Sequence, residues 1–322
     1  MDGTMTDSDK EKDPVRDLLA QVPGWADRPV VIEPAIPVLA SPSWRGVDGD
    51  SLLARDKESG GTLFIKSMHA DTAFYIDVKA AFDAAARAGD AGIGPRVIKA
   101  DAASGVLITE DLTGEWRVAG LEACRNPSFI DKVFDARRRF GEVAPLSGDV
   151  DVFADIERFH AIVLSSGAPT PADTPWLVDT LRFAAEQIGK GSGASMPIHG
   201  DGNVSNILVN KQGEVRLVDW DRAANGDPLE DAGSFLVEAF PFEPEARDAF
   251  RRNFPDLDEA AFDRARIMGV ADDLRWGLIA AIQAHLSERR VNEFYKFANW
   301  RFLRARMAVR EPRFGEHLRR AA

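Results

Sequence analysis

The chain has 322 residues, 45% of them apolar, with 40 basic against 52 acidic side chains and a net charge of −12. That is enough chain for two lobes around a cleft. The acidic balance argues against nucleic acid as the main partner, since phosphate recognition wants a basic surface. A single cysteine, Cys124, rules out an intrachain disulfide and a cysteine-rich metal site. No apolar run approaches the roughly 18 residues of a membrane span, and the polar start MDGTMTDSDKEKD does not read as a signal peptide. The expectation is a cytoplasmic enzyme without membrane insertion, and an acidic surface fits a cationic small substrate.

Residues 1–13 are small and charged and read as a disordered tail. Asp13–Val22 reads as a short helix stopped by Pro23-Gly24, and the stretch Val30 to Leu39, with Pro34 and Pro37, as an edge strand at best. Ser51–Arg55 and Thr62–Ser67 read as two strands joined by a turn at Lys57–Gly61. Lys66 ends the apolar triplet Leu63-Phe64-Ile65, the place of a phosphate-binding lysine on a kinase strand; the alternative is an ordinary surface lysine. The preceding loop, Ser41–Asp50, would cover the phosphates. It has only Gly46 and Gly49, with Ser43 as a side-chain donor.

Asp71–Ala88 is predicted as a helix capped by Asp71, with Phe74, Val78, Ala81, Phe82 and Ala85 on one apolar face. Asp77 borders that face and is the better candidate for an acid pairing Lys66. Strands follow after GIGPRVI and at Gly105–Thr109. Thr109-Glu110-Asp111-Leu112 resembles a hinge between lobes, with Glu110 at the nucleotide or simply in a solvated loop. Residues 14–112 then form a nucleotide-binding lobe and 113–322 a helical catalytic lobe. Helices are expected at Phe129–Glu142, Val150–Ser165, Trp176–Ile188, about Asp231–Phe240, Ala271–Leu286 and Asn292–Val309. Gly-rich GKGSG and Asn225-Gly226-Asp227-Pro228 read as turns. The last 27 residues hold eight Arg or Lys and two Glu, read mainly as a solvated helix face.

The stretch that carries chemistry is Ile198–Asp221, IHGDGNVSNILVNKQGEVRLVDWD. Ile207–Val209 and Val215–Val218 read as strands joined by a turn at Lys211-Gln212-Gly213. Asp201 and Asn206 precede the first strand and Asp219 follows the second, so the hairpin brings the three together. An Asp, an Asn five residues on and an Asp after a hairpin form a phosphoryl-transfer arrangement: the first Asp accepts the hydroxyl proton, the others hold magnesium. His199 reads as a brace for the loop.

HGDGNVSN, LVDWDRAANGDPLEDAGSFLVE, RWGLIAAIQ and FYKFANWRF together resemble the choline/ethanolamine kinase family, within the fold shared by aminoglycoside phosphotransferases and protein kinases. The resemblance implies an α+β two-lobe fold, a small antiparallel-sheet lobe and a larger helical one, with ATP (GTP left open) and magnesium in the cleft. For the acceptor it implies Trp276 and Glu238 as pocket residues, with Asp221, Phe297 and Trp300 as further substrate contacts. A cation suits aromatic faces plus a carboxylate. Ile279, Arg222 and Phe297 replace aromatic residues of the family's pocket. Three functions follow: a kinase of choline, ethanolamine or another amino alcohol; an aminoglycoside or other hydroxyl kinase; or a pseudokinase binding module, against which Lys66, Asp201, Asn206 and Asp219 are all present.

Overall fold

The computed structural model describes residues 13–41, 43–189, 195–290 and 292–321. Residues 1–12, expected as a tail, and most of GKGSG lie outside them. Asp13 is not tail: its carboxylate accepts from the Val15 and Arg16 N–H groups and caps α1 (Pro14–Leu19). Five strands follow, β1 (Val30–Pro34), β2 (Gly49–Asp56), β3 (Thr62–Met68), β4 (Val97–Asp101) and β5 (Val106–Glu110). They form one antiparallel sheet in the order β1-β2-β3-β5-β4, with the proline-bearing β1 on the edge. The period of two sorts the side chains. Leu63, Ile65, Val106 and Ile108 pack on α1, whereas Phe64, Lys66, Leu107 and Thr109 face the cleft.

Across the cleft-facing side lies α2 (Val78–Asp90), shorter than expected. Asp77 is its N-cap, accepting from the Lys79 and Ala80 N–H groups, and a 3-10 turn at Ala70–Thr72 precedes it. Asp71, the expected cap, instead pairs with Arg289 at 2.8 Å and accepts from Ser287. Both are short acids followed by helix formers. The choice was made by Arg289, which is distant in sequence.

Beyond β5 the chain is mainly helical: α3 (Pro127–Gly141), α4 (Val152–Ser166), α5 (Thr174–Ile188), α6 (Pro228–Ala239), α7 (Glu243–Asn253), α8 (Glu259–Leu286), α9 (Phe294–Arg310) and α10 (Pro312–Ala321). The spine is α8, 28 residues long and packed by α4, α6, α9 and α10. It begins twelve residues before the expected Ala271. A helix buried on all sides shows no amphipathic period to read. Gly233 of α6 and Gly269 of α8 let these helices touch, since a Cβ on either would collide with the other's backbone. Of the eight basic residues near the C-terminus, Lys296, Arg310, Arg313, Arg319 and Arg320 are exposed, as a solvated face requires, whereas Arg301 is buried. Arg304 pairs with Asp273 and Glu238, Arg306 with Asp173 and Arg320 with Asp263, so part of this face also latches α9 and α10 onto the core.

Short strands complete the lobe. β6 (Trp116–Val118), β8 (Ile207–Asn210) and β9 (Val215–Leu217) form one small sheet. β7 (Met196–Ile198) pairs with β10 (Ala224–Gly226), so Asn225-Gly226 is strand where a turn was expected. The Asn225 side chain bonds Leu146 and Gly148 instead of folding back locally.

Candidate active site

The β8–β9 hairpin holds Leu208 opposite Arg216, and the Val218 N–H donates to the Asn206 carbonyl, extending the pairing toward the cleft. Asn206 and Asp219 therefore stand side by side. Asp201 enters from the loop before β8. Its Oδ1 accepts from the Asn203 N–H at 2.7 Å and its Oδ2 from the Asn206 side chain at 2.9 Å. The loop is clamped from behind: Arg137 donates to the Asp201 carbonyl and pairs with Asp231, which accepts from the Gly200 N–H. Gly200 has φ of 75°, and a Cβ there would strike the Arg222 carbonyl. Burial pushes the Asp201 carboxyl up to about 7. A carboxylate with that value is poised as a base near neutrality.

His199 is buried, with Nε2 against the Val218 carbonyl at 3.0 Å and its ring on Trp220. Burial, aided by Arg137, depresses it to about 4, so it stays neutral and braces the loop.

The second half of the site comes from the sheet. Lys66 Nζ lies 2.6 Å from both Asp219 and Asp221. Asp48, just before β2, completes a triad in which one oxygen from each of Asp48, Asp219 and Asp221 lies within 4.8 Å of the others. Burial alone would lower the Lys66 pKa, but Asp219, Asp221 and Asp48 hold it above its ordinary value. Burial likewise disfavours the ionised Asp219, yet Lys66 outweighs it and holds the carboxyl low. Asp219 has φ of 66°, the one non-glycine residue with positive φ among the described residues. Such a conformation persists where the surroundings enforce it, commonly at a functional site.

These groups border a cavity of about 290 Å3 between sheet, α2 and hairpin. It is lined by the apolar side chains of Ile36, Phe64, Leu107 and Leu208 and by the polar groups of Lys66, Asn206 and Asp219. Glu110 lies at its rim, where the carboxylate accepts from the Arg96 N–H and pairs with Arg216 at 2.8 Å, so it fastens the hinge to β9. Ser43 sits within 3.2 Å of the Ser205 hydroxyl, linking the covering loop to the catalytic loop. Asp77 is a correction. Its carboxylate caps α2, and the acids facing Lys66 are Asp219, Asp221 and Asp48.

Of the residues expected at the acceptor, the structure brings Trp276 and Phe297 together, with ring centroids 6.5 Å apart, and leaves Trp300 half exposed on the surface. The cluster is closed by an unexpected residue. Trp44, from the covering loop, lies 5.7 Å from Trp276, 4.9 Å from Phe297 and 5.4 Å from Phe294. Glu238 is not a free carboxylate awaiting a cation: Arg304 holds it at 2.8 Å, with Arg301 at 3.9 Å. Arg222 is buried and pairs with Asp155 and the Tyr75 carbonyl. Asp221, expected on the acceptor side, faces Lys66.

The APH family of phosphotransferase enzymes matches residues 46–269, about 70% of the chain and all of the site between Asp48 and Asp221. The chain belongs to this family. Solved structures with the same fold include a choline/ethanolamine kinase family protein from Mesorhizobium loti, 24% identical, covering 96% of this chain and 98% of that one with a TM-score of 0.75. Choline kinase LicA from Streptococcus pneumoniae is 14% identical, covering 86% and 92%, TM-score 0.70. The GDP complex of an aminoglycoside 2'-phosphotransferase is 12% identical, covering 89% and 93%, TM-score 0.58. No curated protein sequence matches.

Sequence reasoning missed two parts of this phosphotransferase site. Asp48 and Trp44 lie in a loop without a recognisable motif, and Tyr75, which donates to Asp48, sits between helices. Their only signal was a tryptophan four residues before an acid in the loop ahead of the lysine strand. The donor set suits magnesium: carboxylate oxygens of Asp219 and Asp221, plus the Asn206 amide, whose nitrogen is spent on Asp201 so that its oxygen is the atom left for a cation.

Proposed function

We propose that this phosphotransferase moves the terminal phosphoryl group of ATP, with magnesium, to the hydroxyl of a small amine-bearing alcohol of the choline or ethanolamine type. The observation that carries the reading is the convergence of Asn206, Asp219 and Lys66 on one cavity, with Asp201 held against the Asn206 side chain behind them. The apolar lining suits the adenine ring beside the hinge, and Lys66 meets the phosphates as a point charge. Bound magnesium supplies charge neutralisation at the transferring group, with Asn206 and Asp219 as its holders. Asp201 accepts the acceptor hydroxyl's proton at the carboxylate that burial has brought near neutral pKa.

For the acceptor, the support is the aromatic cluster around Trp276, the net charge of −12 and the fold shared with choline kinases. A second reading, an aminoglycoside or other polyhydroxyl acceptor, is favoured by two observations: Trp44 packs into that cluster itself, and Glu238 is bound by arginine. No described helix is long and apolar enough to cross a membrane. A cytoplasmic location is the reading that suits an ATP-consuming enzyme with one buried cysteine. Purified protein assayed for magnesium-dependent ADP release against amino alcohols, aminoglycosides and neutral polyols tests all of this. Release with amino alcohols supports the first reading, release with aminoglycosides the second, and none with any acceptor counts against a kinase.

A further inference from the structure

The covering loop sends adjacent residues to two different places. Arg45 and Gly46 line the cavity suited to the nucleotide, whereas Trp44 does not. Its indole is buried among rings of the helical lobe, 5.7 Å from Trp276 of α8, and 5.4 and 4.9 Å from Phe294 and Phe297 of α9. Of these four rings only Trp44 stands on a loop, and it covers ring surface of Trp276 and Phe297.

The backbone of Trp44 lies beside the base. Its carbonyl accepts from the Asn203 side chain at 3.3 Å, and the Asn203 N–H donates to Asp201 Oδ1 at 2.7 Å. The loop is held there by bonds that do not involve the indole ring. Leu39 and Arg45 exchange two backbone hydrogen bonds of 2.8 Å, and the Ser43 hydroxyl meets that of Ser205 at 3.2 Å.

One polar atom of the cluster is unanswered. Trp44 Nε1 donates to Asp48 at 2.8 Å, but the buried Trp276 Nε1 has no hydrogen-bond partner among the described residues. Buried donors are normally paired, so an open one marks a place where a bound molecule can supply the missing oxygen.

We propose that Trp44 is a specificity-determining residue for the acceptor, its ring covering Trp276 and Phe297 and limiting the bulk that can stand beside the reacting hydroxyl. This rests on the proposed function, in which the aromatic cluster receives the acceptor, and the test separates the two. A side chain that walls an apolar site acts through volume, and one methylene there changes kcat/KM by about 10–200-fold.

Magnesium-dependent ADP release is measured for wild type, Trp44→Leu and Trp44→Ala with two pairs of acceptors. One pair is ethanolamine and (2-hydroxyethyl)triethylammonium, the other 2-deoxystreptamine and kanamycin. Trp44→Ala is expected to raise kcat/KM for the bulky member relative to the small one by at least about tenfold, with Trp44→Leu in between. A ratio of two acceptors on one enzyme cancels any loss of folded protein, so a merely structural role leaves it unmoved. Calorimetric affinity for the β,γ-imido analogue of ATP should stay within about twofold of wild type.

An unchanged ratio in both variants would overturn the proposal, and so would a fall in nucleotide affinity that accounts for the whole loss of activity. If wild type turns over only the aminoglycoside pair, the amino-alcohol reading fails while the kanamycin ratio still decides the role of Trp44. Turnover of no acceptor by any of the three proteins removes both. If Trp44→Ala fails to fold, Trp44→Leu decides on the same ratio, a rise supporting the proposal and no change refuting it.

Discussion

Arg275 is fully buried in α8, and its replacement by methionine should unsettle both the fold and the catalytic loop. The guanidinium pairs with Asp272 and Glu230, each at 2.7 Å, approaches Asp155 at 3.5 Å, and donates to the Gly200 carbonyl at 3.4 Å. It thus joins α4, α6 and α8 to the loop that carries Asp201. Removing one member of a buried ion network costs about 3–5 kcal/mol, because the carboxylates left behind keep their desolvation penalty. For a lobe of this size that is about 6–20 °C in melting temperature.

The deficit should also depend on pH. Burial already pushes the Glu230 carboxyl up to about 7, with Arg275 opposing, and without Arg275 it rises further. A carboxyl whose folded pKa exceeds its unfolded value loses stability as pH rises between the two. Wild type stops losing near pH 7 and the variant continues, so the gap widens from pH 7 to pH 9. Melting followed by tryptophan fluorescence at pH 6, 7 and 9 reads this directly. A shift below about 2 °C at every pH would show that the network carries little energy and that the loop is held by Arg137 alone.

Three further outcomes are expected. Asp201→Asn should lower turnover by about 10²–10⁴-fold with little change in nucleotide affinity, measured by ADP release and by titration; near-normal turnover would remove the base assignment. The acid limb of kcat/KM should fall near pH 7, the value to which Asp201 is raised; His199, depressed to about 4, cannot produce it, so a limb near pH 4 would refute the argument. Glu238→Gln should lower the melting temperature by loosening Arg304 from α6, while acceptor KM stays within about twofold of wild type; a large rise in acceptor KM alone would return Glu238 to the substrate.

The catalytic hairpin was legible because its chemistry is local. Asp201, Asn206 and Asp219 lie within nineteen positions, and a two-stranded ribbon has only one way to bring its ends together. Lys66 was legible for a similar reason, since period-two alternation along β3 sends it to the cleft face with Phe64. Glu238 and Asp77 looked available because a sequence shows which side chains carry charge and not which charges are already spent. Asp77 is spent on its own helix N-terminus, and Glu238 on an arginine 66 residues away. The start of α8 was hidden because full burial erases the helical period. The aromatic cluster, closed by a loop tryptophan more than 200 positions from Trp276, has no local signature at all. Local backbone geometry and periodicity, then, were determined by the sequence alone. Which acid answers which cation, and which ring fills which gap, depended on packing between segments far apart in the chain, where desolvation leaves each buried charge dependent on whatever partner the fold delivers.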